Sequence, residues 1–230
     1  MRNPLVSVII PIHNGEKFLG EAITSVLAQD YSLIELIVVD DGSTDASARL
    51  VKGFGSQVHY FYQPNAGTGA ARNVGVTLSQ GDYLAFLDQD DVWEPHKLTW
   101  QIDVLTESKI WDAVFGYVQL IRNSEVPGTN WETIPPFPNK RPGISPSGIL
   151  LKQKAFEQVG PFDVHLKIAE WADWYIRAID CGLRMKMTGF SVAKRRIHAK
   201  NKGRLFRRCK NEYVQVLKAA LDRRRNLIRT

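Results

Sequence analysis

Residues 6–27 read VSVIIPIHNGEKFLGEAITSVL, and this stretch decides the fold. Residues 6–12 are apolar on both alternating faces, as in a strand covered on each side. The run stops at His13-Asn14-Gly15, and residues 18–27 then carry Leu19, Ile23, Val26 and Leu27 at helical spacing. The alternation continues downstream. Residues 34–39 (IELIVV) form a second strand, and 45–54 a second helix that Ser43 or Thr44 can cap. Residues 58–62 form a third strand, 69–78 a third helix and 83–87 (YLAFL) a fourth strand. Doubly buried strands alternating with helices predict an α/β architecture with a mostly parallel central sheet of βαβ units.

The pattern loosens after Pro95. A helix is expected over 97–105, a strand over 113–121, helices over 154–159 and 172–181, and a short strand over 184–187. Between them, residues 123–146 hold six prolines. A loop of that length in a compact domain usually covers a site, so it is read as a wall or a lid over one. Residues 211–227 form a basic amphipathic helix, with Tyr213, Val214, Leu217, Leu221 and Ile228 assigned to its apolar side.

The chain has 230 residues, 44% hydrophobic and 23% charged, which excludes a disordered or collagen-like chain. No stretch approaches the roughly 20 apolar residues that span a bilayer. The net charge of +6 is unevenly placed: residues 194–230 carry 14 Lys/Arg and two acids, a net +12, leaving −6 on the rest. A basic tail on an acidic body points to an anionic partner. Cys181 and Cys209 have no CxxC or Cys/His spacing, so neither a zinc site nor a disulfide framework is implied. With no secretion signal read at the N-terminus, a cytoplasmic protein is expected.

Ligands of doubly wound sheets bind beyond the carboxyl ends of the strands. There lie Pro11, His13 and Asn14, then Asp40 and Asp41, then Asp88-Gln89-Asp90-Asp91. Three carboxylates within four residues repel one another unless a cation intervenes, and oxygen ligands suit Mg²⁺ or Mn²⁺ with substrate phosphates completing the shell. A competing role, N-cap of a helix starting near Pro95, accounts for Asp91 alone. The turn Asn65-Ala66-Gly67-Thr68-Gly69 precedes a helix carrying Arg72, so backbone N–H groups and a guanidinium are available to a diphosphate or sugar. Arg72 stands where the dinucleotide fingerprint needs its third glycine. Glu170 and Asp173, at i and i+3 near a helix start, are candidate general bases. Lys194-Arg195-Arg196-Ile197-His198 joins positive charge to a possible metal ligand.

These blocks, VSVIIPIHNGEKFLGEAITSVLAQ, IELIVVDDGSTD, NAGTGAARNVG, YLAFLDQDD with WEP, VGPFD and EWADWYIRA, resemble glycosyltransferase family 2 with the GT-A fold, over roughly residues 5–200. The resemblance implies an inverting, metal-dependent transfer from a nucleoside-diphosphate sugar, commonly UDP-linked, to an acceptor hydroxyl in polysaccharide or glycolipid synthesis. It implies that Pro11, His13 and Glu16 help hold the nucleotide, that Asp40 bonds the base, and that Arg72 and Arg196 face the donor. Asp88 and Asp90 would form the DxD pair, with Asp90 the direct metal ligand and His198 approaching the metal. Family members carry a Glu-Asp pair where this chain reads Glu170-Trp171, so Glu170 is favoured as base, with Asp173 behind it. Trp171, Trp174 and Tyr175 stack on a sugar or fill the core.

A nucleotidyltransferase is the first rival, but it places a glycine-rich loop with a catalytic Lys or Arg after the first strand, where this chain has Pro11-Ile12-His13-Asn14-Gly15. A nucleotide- or glycan-binding member without turnover is the second, resting on Trp171. A transferase domain over 1–200 is expected, with a nucleotide half at 1–95 and an acceptor half at 96–200, followed by the basic helix over 201–230. The tail has few interleaved aromatics, so nucleic acid is not expected. An anionic surface at the inner face of the plasma membrane suits it better, against the alternative of a helix packed on the body with a solvated basic face. A glycan or lipid-linked acceptor follows from the resemblance, and a homodimer is left open.

Overall fold

The computed structural model describes residues 3–122, 140–198, 201, 209 and 211–229. Most of the proline-rich segment, read above as a wall or lid, and most of the basic stretch 199–210 lie outside the described residues.

The first half alternates as the periodicity requires: β1 (Val6–Ile12), α1 (Leu19–Leu27), β2 (Ile34–Asp41), α2 (Ser47–Lys52), β3 (His59–Gln63), α3 (Thr68–Leu78) and β4 (Tyr83–Phe86). All seven residues of β1 are buried, the signature of a strand with helices on both faces. The second half comprises β5 (Val92–Trp93), α4 (Lys97–Glu107), β6 (Ala113–Arg122), β7 (Lys140–Pro142), β8 (Ile149–Lys152), α5 (Gln153–Val159), α6 (Glu170–Asp180), β9 (Met185–Ile197) and α7 (Asn211–Arg229).

Among the described residues one sheet runs β3-β2-β1-β4-β8-β6-β9-β5, with β7 against β6. The block β3-β2-β1-β4 is parallel throughout. The second half joins through β8, antiparallel to both β4 and β6, and β9 then lies parallel to β6. Gly75 of α3 packs on β1 so closely that a Cβ there would lie 2.4 Å from Ile9 Cγ2. Only glycine lets that helix sit down on the sheet.

One expectation is corrected. The short strand expected over 184–187 is a 13-residue strand, β9. Thr188-Gly189 interrupts the apolar pattern, but a bulge opposite Phe115–Val118 absorbs the irregularity and pairing resumes to Ile197. The side of α7 that packs on the body carries Val216 and Ala220, both buried. Tyr213, Val214, Leu217 and Leu221, read above as its apolar side, are exposed; the Ile228 side chain lies outside the described residues. Polar contacts at both ends of the helix set its phase, and the small Ala220 permits close approach.

Candidate active site

Three loops meet where the parallel strands end. The order β2-β1-β4 leaves a switch point between β1 and β4, the place where loops of a doubly wound sheet diverge and open a crevice. The Gln89 amide spans it, accepting from His13 N–H at 2.8 Å and donating to His13 O at 3.1 Å. A Cβ on Gly15 would come within 2.5 Å of that amide oxygen, so a larger residue there would displace the Gln89 amide. On the other flank Asn14 N–H donates to Ser43 Oγ, and Thr44 N–H to Asn14 Oδ1.

Several residues assigned to the nucleotide are engaged within the protein. Pro11 is buried in β1, level with Val39. His13 Nδ1 lies 2.8 Å from the Asp41 carbonyl, and Glu16 accepts from Ala46 N–H just before α2. Asp40 is fully buried. Its Oδ1 accepts from Ser43 N–H at 2.8 Å and its Oδ2 from Tyr60 O–H at 2.7 Å, so each oxygen already holds one partner within the protein. Burial, and then this bond to Asp40, push the Tyr60 hydroxyl up from its ordinary value. Asp41 binds the glycine-rich turn, accepting from Ala66 and Gly67 N–H at 2.7 and 2.9 Å. Those amides, expected at a phosphate, are spent on a carboxylate.

The Arg72 guanidinium is a bridge. Nη2 donates to Asp88 Oδ1 at 2.7 Å and Nη1 to Glu170 Oε1 at 3.1 Å, while the group lies over the Phe162 ring. Arg72 and Glu170 are 3% and 4% exposed, and Arg72 Nε has no hydrogen-bond partner among the described residues. In this conformation two carboxylates neutralise Arg72, the residue expected to face the donor.

The acidic loop after β4 is held by the second half of the sheet. Pairing of β5 with β9 sets Val92 against Lys194, which brings Asp90 to the end of β9. There His198 Nε2 meets Asp90 Oδ2 at 2.8 Å, and Asn201 Nδ2 reaches the same oxygen at 3.0 Å. Pairing of β4 with β8 likewise carries the turn Pro146–Gly148 to Asp88. Ser147 Oγ accepts from Asp88 N–H at 3.3 Å and donates to Asp91 Oδ2 at 2.7 Å. Asp91 also accepts Arg196 N–H at 3.1 Å, so it is an internal tie. The N-cap residue of α4 is His96, not Asp91. Burial, and then the charges of Asp88 and Asp90, push the Asp91 carboxyl well above its ordinary value. Arg196, expected at the diphosphate, bonds Glu21 at 2.6 Å and the Asp90 carbonyl at 3.3 Å, and covers the Phe18 ring.

Among the described residues no three His, Cys, Asp or Glu side chains gather as a metal-binding group. The expected trio divides: Asp90 and His198 converge, whereas Asp88 is drawn to Arg72. The two candidate bases divide as well. Glu170 joins the Arg72 bridge. Asp173 accepts from Arg177 Nε at 2.8 Å, which in turn holds the Val159 and Pro161 carbonyls, and it lines a separate cavity of about 500 Å³ between α6 and α7. Trp171 is half-buried among Phe115, Phe162, Trp174 and Tyr175, with its indole N–H on the Ile144 carbonyl. That is a core contact. Gln89, Ser147 and Asn201 escaped the sequence reading. Gln89 stood inside the acidic run and was passed over for its neighbours, whereas nothing local marks Ser147 or Asn201.

A family model described as "Glycosyl transferase family 2" matches residues 7–160. An uncharacterized glycosyltransferase of Rickettsia conorii is 36% identical over 185 residues, covering 74% of this chain and 31% of its own length. One from Nostoc sp. is 32% identical over 219 residues, covering 85% of this chain and 66% of its own. The chain thus spans about a third to two thirds of the length of these relatives. Crystal structures of S. aureus TarS residues 1–349 superpose with a TM-score of 0.70 at 23% identity, over 84% of this chain and 60% of that one, and 0.69 at 22% for its UDP-GlcNAc complex, over 86% and 60%. They share the GT-A fold, with its central sheet and flanking helices. The chain belongs to glycosyl transferase family 2.

Proposed function

We propose that this domain transfers a sugar, with inversion, from a UDP-linked donor to a hydroxyl of a glycan or lipid-linked acceptor, in cell-surface polysaccharide or glycolipid synthesis. The observation that carries the reading is the Asp88–Arg72–Glu170 bridge beside the Asp90–His198 pair, at the carboxyl edge of the parallel strands. The UDP and UDP-GlcNAc complexes of TarS, a protein of the same fold, support the choice of donor.

Asp90 would give an oxygen ligand to Mg²⁺ or Mn²⁺, with a diphosphate supplying further ligands, and His198 beside it a nitrogen that Mn²⁺ accepts more readily than Mg²⁺. When bound, the ion neutralises charge on the departing diphosphate. The chain's own residues do the rest. Asp91 and Ser147 hold the acidic loop in place, and Arg72 holds Glu170 Oε1 and so orients its carboxylate. The acceptor oxygen forms a bond to the anomeric carbon from the face opposite the diphosphate. The bond from that carbon to the diphosphate oxygen breaks, its electron pair leaves with the diphosphate, and the acceptor proton passes to the Glu170 carboxylate.

Glu170→Gln is expected to keep UDP affinity, measured calorimetrically, while transfer falls about 10²-fold or more. Absence of UDP binding in the parent protein would overturn the donor, and undiminished transfer in the variant would overturn the base. The packing of Trp171 in the aromatic core favours one second reading, a member that binds UDP-sugar without turnover. UDP binding with no transfer to any acceptor in a panel would select it.

The exposed strip Val214, Leu217 and Leu221 of α7, with Lys218 and Arg225 beside it, is read as the contact with an anionic membrane at its inner face. No helix of the described residues is long and apolar enough to cross a membrane. Sedimentation with anionic vesicles is expected to fall for Leu217→Glu/Leu221→Glu, and equal sedimentation of variant and parent removes the membrane from the reading.

A further inference from the structure

We infer that Glu212, far from the donor loops in sequence, is a positioning residue for the helix that carries Glu170; this rests on the role of Glu170 proposed above. Helix α6 begins at Glu170 without a cap of its own, since its N-cap position is Ala169, which has no acceptor side chain. The backbone N–H groups ahead of and at a helix start need partners. Here they come from another element. Glu212 Oε2 accepts from Lys167 N–H at 2.9 Å, Ile168 N–H at 2.9 Å and Ala169 N–H at 3.2 Å.

A carboxylate receiving three amides beside the positive end of a helix is a charge-assisted contact with fixed geometry. Tyr213 O–H adds a bond to the Ile168 carbonyl at 3.2 Å. At the far end Asp180, the last residue of α6, accepts from Arg224 Nε at 2.8 Å and from Arg223 at 3.4 Å. Helix α7 therefore lies alongside α6 in the same direction, anchored at both ends, with Val216 and Ala220 buried between.

The two anchors have different consequences. Glu212 holds the residue that immediately precedes Glu170. The Asp180 anchor lies ten residues away, about 15 Å along a helix. Loss of the first frees the backbone that sets Glu170 against Arg72, whereas loss of the second loosens only the far end. Misplacement of a reacting group by about 1 Å is enough to cost a large factor in rate.

The test uses the full chain with a UDP-sugar it turns over. Glu212→Ala is expected to lower kcat for transfer about tenfold or more while KM for the donor stays within about twofold. Amide exchange over residues 167–173 should quicken at the same time. Glu212→Gln, whose amide oxygen still accepts, is expected to recover kcat to within about threefold of the parent. Glu212→Asp, which keeps the charge but falls short by one methylene, should resemble Glu212→Ala and serves if the alanine variant does not fold. Arg224→Ala should lower the thermal midpoint yet leave kcat within about twofold. Unchanged kcat in Glu212→Ala and Glu212→Asp overturns the inference, and so does an equal loss in Arg224→Ala. If the parent transfers from no donor, the proposed function falls instead, and unchanged exchange at 167–173 in Glu212→Ala still refutes the anchor by itself.

Discussion

Replacing Arg72 by methionine removes the cation shared by Asp88 and Glu170 and keeps most of the buried volume. The Glu170 side chain is 6% exposed and its bond to Arg72 is 3.1 Å, so the variant leaves a buried carboxylate without its guanidinium partner. Breaking a fully buried pair from one side costs about 3–5 kcal/mol. Asp88 keeps 35% of its side chain exposed, so water re-solvates that half and its share is discounted. The working figure is about 3 kcal/mol. For a domain of this size each kcal/mol moves the midpoint by about 2–4 °C, so the Tm should fall by about 6–12 °C.

The assay is thermal and urea unfolding followed by circular dichroism, run on Arg72→Met, Glu170→Gln and the double variant. Because Gln at 170 removes the charge that Arg72 balanced, the double variant should recover about half of the loss seen in Arg72→Met alone. Strict additivity, or a Tm shift below about 2 °C in Arg72→Met, would refute the claim that the bridge is buried and coupled. Transfer should be lost in all three variants.

Three further outcomes follow from contacts elsewhere. Ser147→Ala withdraws a hydroxyl donor from buried Asp91 and an acceptor from Asp88 N–H, and should destabilise by about 1–3 kcal/mol in urea titration. Gly75→Ala gains helix propensity but drives a methyl into Ile9 Cγ2 at 2.4 Å; a β-branched residue in the central strand cannot yield, so a net loss of about 1–2 kcal/mol is expected, and a gain sinks the packing claim. Lys97, fully buried against Gln101 and the Ile149 carbonyl, has its pKa held well below the ordinary 10.5 by desolvation. The unfolded chain therefore binds a proton that the fold releases, and stability rises with pH from the lowered folded value up to 10.5. The slope is up to about 1.4 kcal/mol per pH unit. Lys97→Met should remove that slope below pH 10.5 in denaturation curves, and parallel curves for parent and variant would contradict it.

Much of the molecule is legible in its residues. Doubly buried apolar runs at 6–12, 34–39 and 83–87, separated by helical periods, specify the βαβ alternation and a mostly parallel sheet, because those strands advertise their own burial. The order β3-β2-β1-β4, with the largely exposed β3 at its edge, comes from the fold. The same strands end in His13, Asp40 and Asp88, so the crevice could be located too. What the residues cannot disclose is whom each charge meets. Asp40, Arg72 and Arg196 read as donor-facing, yet each is bound by the protein itself, at Tyr60, at Asp88 with Glu170, and at Glu21.

Local sequence determined the α/β alternation, the acidic loop and the basic tail on an acidic body, because those are written in periodicity within about one turn or one strand and in the residue types themselves. Tertiary structure alone decided the division between Glu170 and Asp173, the ties from Ser147 to the acidic loop, and the face of α7 turned to the body. The reason is physical. A hydrogen bond across 43 to 45 residues, such as that of Glu212 to the start of α6, leaves no periodic trace, and it exists only once the sheet has brought its partners together.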